Sequence, residues 1–182
     1  SNFASVFVRS PTEAWAAGEN MVGRWNGTAW TNTSMGIQTG SDLVGIWSSA
    51  TGDLRAAGRY TYRWTGSAWA QEMVGSNSYV AVWGSGANDI WLVGRSVAQH
   101  WDGRAWTAVR TNTLAPLWGV WGSGPNDVWA VGEMGTIVHW NGVVWAPVAS
   151  GGVTNTLRAV WGTGPNNVWA VGERGVAVRY QY

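Results

Sequence analysis

One motif recurs along the chain at nearly constant spacing, and that recurrence constrains the fold more than any other feature. The segment "LRAVWGTGPNNVWAVGERGVAVRY" from Leu157 echoes "LWGVWGSGPNDVWAVGEMGTIVHW" from Leu117. A third copy, "VAVWGSGANDIWLVGRSVAQHW", starts at Val80. A weaker one, "VGIWSSATGDLRAAGRYTYRW", starts at Val44, and "SVFVRSPTEAWAAGENMVGRW" from Ser5 opens the series. The anchors Phe7, Trp47, Trp83, Trp121 and Trp161 lie 40, 36, 38 and 40 residues apart. Self-similarity at such a period marks a repeat architecture and is read before any local propensity.

Each copy has four phases. A short β-rich run ends at the anchor, and a Gly/Ser/Pro/Asn/Asp loop follows, built of turn-forming residues. The second run, such as "VWAVG" at Val128–Gly132, is apolar throughout, as a strand buried on both faces is. It closes on a glycine in every copy: Gly18, Gly58, Gly94, Gly132 and Gly172. A glycine fixed at one phase implies positive φ or close backbone approach. The third run, such as "TIVHW", leads into "WNGTAW", "WTGSAW", "WDGRAW" and "WNGVVW", whose central Asn-Gly and Asp-Gly pairs are hairpin signals. The fourth run starts at Trp30, Trp69, Trp106 and Trp145. No stretch has helical periodicity.

Four short antiparallel strands in about 40 residues is the pattern of a β-propeller blade. The expected fold is all-β, one five-bladed β-propeller of four-stranded blades over residues 1–182. The repeats fall at about 1–40, 41–78, 79–114, 115–154 and 155–182. The last copy stops before a fourth strand, so that blade is expected to be incomplete. A longer array would close the ring at a higher number or through a second chain. The opening at Ser1 fits either a processed secreted form or a piece of a longer protein.

Sixteen of the 17 tryptophans occupy four phases of the repeat, Trp118 being the exception. One role for them is packing: flat rings fill the wedges between blades, each burying on the order of 200 Å². The other is binding of carbohydrate, whose apolar C–H face stacks on an indole while its hydroxyls bond polar side chains. The phase before the third-strand aromatic reads Arg24, Arg63, His100, His139 and Arg179; the aromatics are Trp25, Trp64, Trp101, Trp140 and Tyr180. Neighbours on a strand face opposite ways. An Arg or His can therefore share a pocket only with the aromatic of an adjacent blade. The charged phase after the recurrent glycine varies in sign, and only Glu133 and Glu173 are kept there as candidates.

Charged residues make up 12% of the chain and the net charge is +1, with all 11 basic residues arginine and scattered. A nucleic-acid partner calls for a basic stripe, which is missing. No segment is long and apolar enough to span a membrane. There is no cysteine, so disulfides and thiolate metal sites are excluded. No nucleophile elbow, paired carboxylates or metal-ligand spacing occurs, and Asp53, Asp89 and Asp127 read as turn caps. Neither catalysis nor a cofactor or metal is expected.

The pattern "VWGSGPNDVWAVGEMGTIVHWNGVVW" resembles Trp-rich propeller repeats of large secreted or surface proteins of soil bacteria. The order of apolar strand, glycine, strand ending in "HW" and "W-x-G-x-x-W" also resembles tectonin-type and fucose-binding propeller lectins. That resemblance implies one site per repeat, made by the Trp/Tyr and Arg/His phases above. The chain departs from Asp-box repeats, which only "DGRAW" at Asp102–Trp106 approaches, and from WD repeats, since no Trp-Asp ends a strand in every copy. The degraded second copy, with Leu54-Arg55 in place of Val-Trp, is expected to be silent. The function expected is a secreted or surface multivalent lectin-like module, monomeric or a small homo-oligomer. The alternative is a protein-interaction scaffold using its loop faces, with the tryptophans structural.

Overall fold

The computed structural model describes residues 2–35, 42–72, 74–75, 78–95 and 98–181. Its strands form five separate antiparallel sheets, ordered within each as they follow in sequence. The first blade holds β1 (Phe3–Ser10), β2 (Glu13–Gly18), β3 (Met21–Trp25) and β4 (Trp30–Ser34). The second holds β5 (Leu43–Ser48), β6 (Leu54–Gly58), β7 (Thr61–Trp64) and β8 (Trp69–Glu72). The third holds β9 (Tyr79–Gly86), β10 (Asp89–Gly94), β11 (Ala98–Trp101) and β12 (Trp106–Val109). The fourth holds β13 (Leu117–Gly124), β14 (Asp127–Gly132), β15 (Ile137–Trp140) and β16 (Trp145–Pro147). The fifth has three strands, β17 (Leu157–Gly164), β18 (Asn167–Gly172) and β19 (Ala177–Tyr180). The expected five blades and the short last one are both present. The first repeat boundary, at residues 40–41, lies outside the described residues. No helix among the described residues is long and apolar enough to cross a membrane.

Two glycine phases shape the blades, one in all five and one in the four that have a linker. The recurrent glycine closing the second strand is there because of crowding. A Cβ on Gly18, Gly58, Gly94, Gly132 or Gly172 would lie 2.0–2.3 Å from the carbonyl oxygen of the residue before the first strand. Gly132 and Gly172 are extended, with φ of −162° and −163°, so handedness is not the reason. The linker glycines are different. Gly27, Gly66, Gly103 and Gly142 have φ of 92–98°, which L side chains avoid. Beside three of them an Asx side chain closes the turn: Asp102 accepts the Arg104 and Ala105 N–H groups at 2.8 Å, and Asn26 and Asn141 do the same.

First strands of successive blades lie side by side, so they are the inner strands. An anchor Trp packs onto a seat in the next blade. Cβ atoms on Gly84, Gly122 and Gly162 would sit 2.8, 2.6 and 2.6 Å from the rings of Trp47, Trp83 and Trp121. Only a bare backbone leaves room for that indole. A second layer lies further out. The second-strand Trp91 meets Trp140 and Trp145 of the following blade at 4.9 and 5.2 Å, and Trp129 meets Tyr180 at 5.1 Å. Each buried indole removes about 200 Å² from water, worth several kcal/mol. At the ends the same positions face solvent: Trp161 is 61% exposed, and Val8 on the opposite end is 64% exposed. The five blades therefore form an arc whose two end faces are uncovered.

Candidate functional site

Hairpin register decides what the Arg/His phase does. His100 pairs across the strands with Trp91, His139 with Trp129, Arg24 with Trp15 and Arg179 with Trp169. Opposed residues share a face, and so does the residue two before on the same strand. In β10 and β14 that residue is Asp89 and Asp127. His100 Nε2 lies 2.6 Å from Asp89 Oδ1, and its ring stacks on Trp91 at 4.2 Å. His139 Nε2 lies 2.6 Å from Asp127 Oδ1 and stacks on Trp129 at 4.3 Å. The Trp129 indole N–H also donates to Asp127, which accepts from Ser123 as well. In the fifth blade Arg179 donates to Asn167 Oδ1 at 3.0 Å and lies over Trp169. Carboxylates read from sequence as turn caps are thus cross-strand partners of the candidate residues.

The aromatic phase points the other way. Trp25 and Trp101 donate to the carbonyls of Pro11 and Ala87, in the first loop of their own blades, at 3.1 Å. Trp25, Trp64, Trp101 and Trp140 each pack within 5.6–6.0 Å of the second Trp of their linker. Tyr180 donates to the Ala149 carbonyl. Glu133 and Glu173 begin the 3₁₀ turns Glu133–Gly135 and Glu173–Gly175. Glu173 accepts from Arg158, which lies over Trp118.

The second blade breaks this order. Arg55 stands where the other blades have Trp, and its side chain is only 1% exposed. The guanidinium occupies the indole's place on the next blade, over Trp101 at 5.0 Å and Trp106 at 5.7 Å. It is clamped by Glu72 and by Asp53, whose Oδ2 accepts at 3.2–3.3 Å. The neighbouring Arg63 approaches Asp53 Oδ1 at 3.4 Å. In the first blade Glu13 is shared by Arg9 and, at 3.8 Å, by Arg24, which lies over Trp15 at 5.1 Å. Between these sets opens a cleft of about 690 Å³, walled by Trp15, Trp64 and Trp101. A smaller hollow of about 270 Å³ adjoins it. It is lined by Arg24 of the first blade and Trp64 and Trp69 of the second, with Asn26, Thr31 and Thr33.

Of the sequence candidates, Arg24, Arg63, Trp64 and Trp101 are therefore brought to one cleft. His100, His139, Trp140 and Tyr180 lie in the packed junctions of later blades. Arg9, Glu13, Trp15, Asp53 and Arg55 were missed. Register was the available signal: the hairpins that pair Trp15 with Arg24 and Arg55 with Arg63 place Glu13 and Asp53, two residues earlier, on the face of Arg24 and Arg63. The second blade, expected to be silent, borders the 690 Å³ cleft.

No family model matches the sequence, and no curated protein matches it. Solved structures do match its shape. One is YCF48 bound to D1 peptide, with TM-score 0.74 and 15% identity, covering 97% of this chain and 64% of that one. Another is the WD40 β-propeller domain of Doa1, with TM-score 0.82 and 11% identity, covering 99% and 65%. A third is virginiamycin B lyase from Staphylococcus aureus, with TM-score 0.75 and 13% identity, covering 97% and 69%. The chain is a β-propeller repeat protein. It spans about two thirds of the length of these structures.

Proposed function

We propose that the chain is a non-enzymatic protein-interaction module that takes an extended segment of another protein into the cleft bordered by its first three blades. The observation that carries this reading is the cleft itself. It is lined by charged and hydroxyl side chains and walled by three indoles, a surface suited to alternating side chains and backbone amides. Its carboxylates are tied to guanidinium groups, an arrangement for holding and orienting a ligand. One structural neighbour, YCF48, is itself seen with a bound peptide. A secreted or cell-surface location belongs to the proposal, supported by the low charged fraction of 12%.

The carbohydrate reading keeps one specific support. The 270 Å³ hollow joins Arg24 to the aromatics of the next blade, the cross-blade pairing a sugar site of this pattern needs. The two rings that bound it, Trp15 and Trp64, are 6.4 Å apart, whereas the equivalent pairs in later junctions close to 4.9 and 5.1 Å. A sugar would have one open site rather than five, and repeat avidity would be lost.

Labelled protein applied in parallel to a peptide array and a broad glycan array separates the two readings. The expected result is peptide binding that Trp64→Ala abolishes. Selective binding to a terminal sugar, with no peptide bound, would overturn the interaction reading in favour of the lectin.

A further inference from the structure

The cleft holds more cations than its own acids neutralise. Four guanidinium groups line it, those of Arg9, Arg24, Arg55 and Arg63, against two carboxylates, Glu13 and Asp53. Each carboxylate is already divided. Glu13 serves Arg9 in direct contact and Arg24 only at 3.8 Å. Asp53 serves Arg55 at 3.2 Å and Arg63 at 3.4 Å. Arg55 is buried and has Glu72 besides. The unspent positive charge is therefore on Arg24 and Arg63, whose side chains are 58% and 53% exposed. They occupy one phase of adjacent blades and face the same cleft from two sheets. The third and fourth blades carry one imidazole and one carboxylate at this phase, and have no such surplus.

We infer that the cleft reads carboxylates: its ligand is an acidic stretch of a partner protein, with Arg24 and Arg63 as the reading side chains. This rests on the interaction-module proposal above and names the partner's chemistry. A guanidinium presents a planar fork of N–H donors that matches a carboxylate. Arg24 lies over Trp15 at 5.1 Å, a contact that lowers the freedom lost when a carboxylate docks. Thr51, Thr65 and Asn88, exposed in the cleft lining, offer partners for a peptide backbone. A polynucleotide needs a continuous track of cations. Two exposed arginines in a chain of net charge +1 are not such a track.

The test is fluorescence anisotropy with the whole chain and a short fluorescein-labelled polyglutamate peptide. A neutral Gly-Ser peptide of equal length is the comparison, and inorganic phosphate is the competitor. Polyglutamate is expected to bind, and more weakly as salt rises. Arg24→Gln and Arg63→Gln are each expected to weaken binding about tenfold, the loss of one charge-assisted contact. Arg110→Gln, an exposed arginine outside the cleft, is expected to leave binding unchanged. Equal thermal midpoints for all three variants would exclude misfolding as the cause.

Binding of the Gly-Ser peptide but not polyglutamate would overturn the carboxylate inference and leave the interaction reading standing. Failure of both peptides with folded protein would overturn both. An Arg110→Gln loss as large as that of Arg24→Gln would replace the site by a diffuse field. Displacement by phosphate as readily as by free polyglutamate would make this a phosphate site and overturn the inference.

Discussion

The third and fourth blades and the first and second blades use the same positions of the repeat for different ends. In the former, each His meets one Asp and lies flat on a buried indole, and the next blade's aromatics close the far side. Charge and volume are used up within the set. In the latter, arginines replace the imidazoles and one indole has become Arg55. Carboxylates are shared, and a cleft opens between the sheets. The difference teaches that a repeat can be spent on packing in its regular copies and on recognition in its irregular ones. A substitution that ruins the consensus there still keeps the junction, because a guanidinium over two indoles replaces a ring on two indoles.

Removing a ring from a regular junction should have the largest effect. Trp129→Ala is expected to cost about 3–5 kcal/mol in urea denaturation, because Trp129 is fully buried between His139 and Tyr180. Trp64→Ala, at the cleft wall, is expected to cost clearly less. Equal losses would break the comparison.

Next comes the irregular core position. Arg55→Leu removes the cation between Asp53 and Glu72 and leaves two part-buried carboxylates together. The expected loss is about 3 kcal/mol by the same measurement, and a neutral or stabilised variant would show that the clamp is dispensable.

The Arg/His phase itself sharpens the contrast. His139→Ala, which deprives the Asp127 carboxylate of a 2.6 Å partner, is expected to cost about 1–2 kcal/mol. Arg24→Gln at the same phase is expected to stay within about 0.5 kcal/mol, since its ion pair is exposed and screened. Matching values for the two would mean that one phase has one role throughout.

The smallest effect is a pH effect in the third blade. Burial pushes the Tyr79 hydroxyl above the ordinary tyrosine value of 10.0, opposed by a hydrogen bond from Gln99. A raised folded value favours the neutral form, so its contribution is complete below pH 10.0 and is lost as pH rises through the folded value. Thermal midpoints should fall on the alkaline side, and Tyr79→Phe should flatten that fall.

Much of the fold was legible because its determinants are local. Linker dipeptides such as Asn26-Gly27 and Asp102-Gly103 set the hairpins, and every fourth strand begins at the linker Trp as expected. Alternation along a strand separates Arg24 from Trp25, but the partners Arg24 finds first, Trp15 and Glu13, belong to its own blade. The candidate site was legible in part. Arg24, Arg63 and Trp64 were named, but Glu13, Asp53 and Arg55 were passed over. Asp53 looked like a turn residue, and Arg55 looked like damage to a consensus.

By itself the sequence determined the number of blades, their strand order and the phases at which indoles recur. Those follow from a period of two, turn chemistry and a repeat of about 40 residues, each acting within a few tens of residues. Only the tertiary structure decided that Arg24 and Trp64 line one hollow, that Arg55 lies on Trp101 and Trp106, and that one junction stays open while later ones close. Those partners belong to different sheets. Their separation is set by how two rigid blades stack and by the volume of every ring between them, a sum over the junction that no single copy contains.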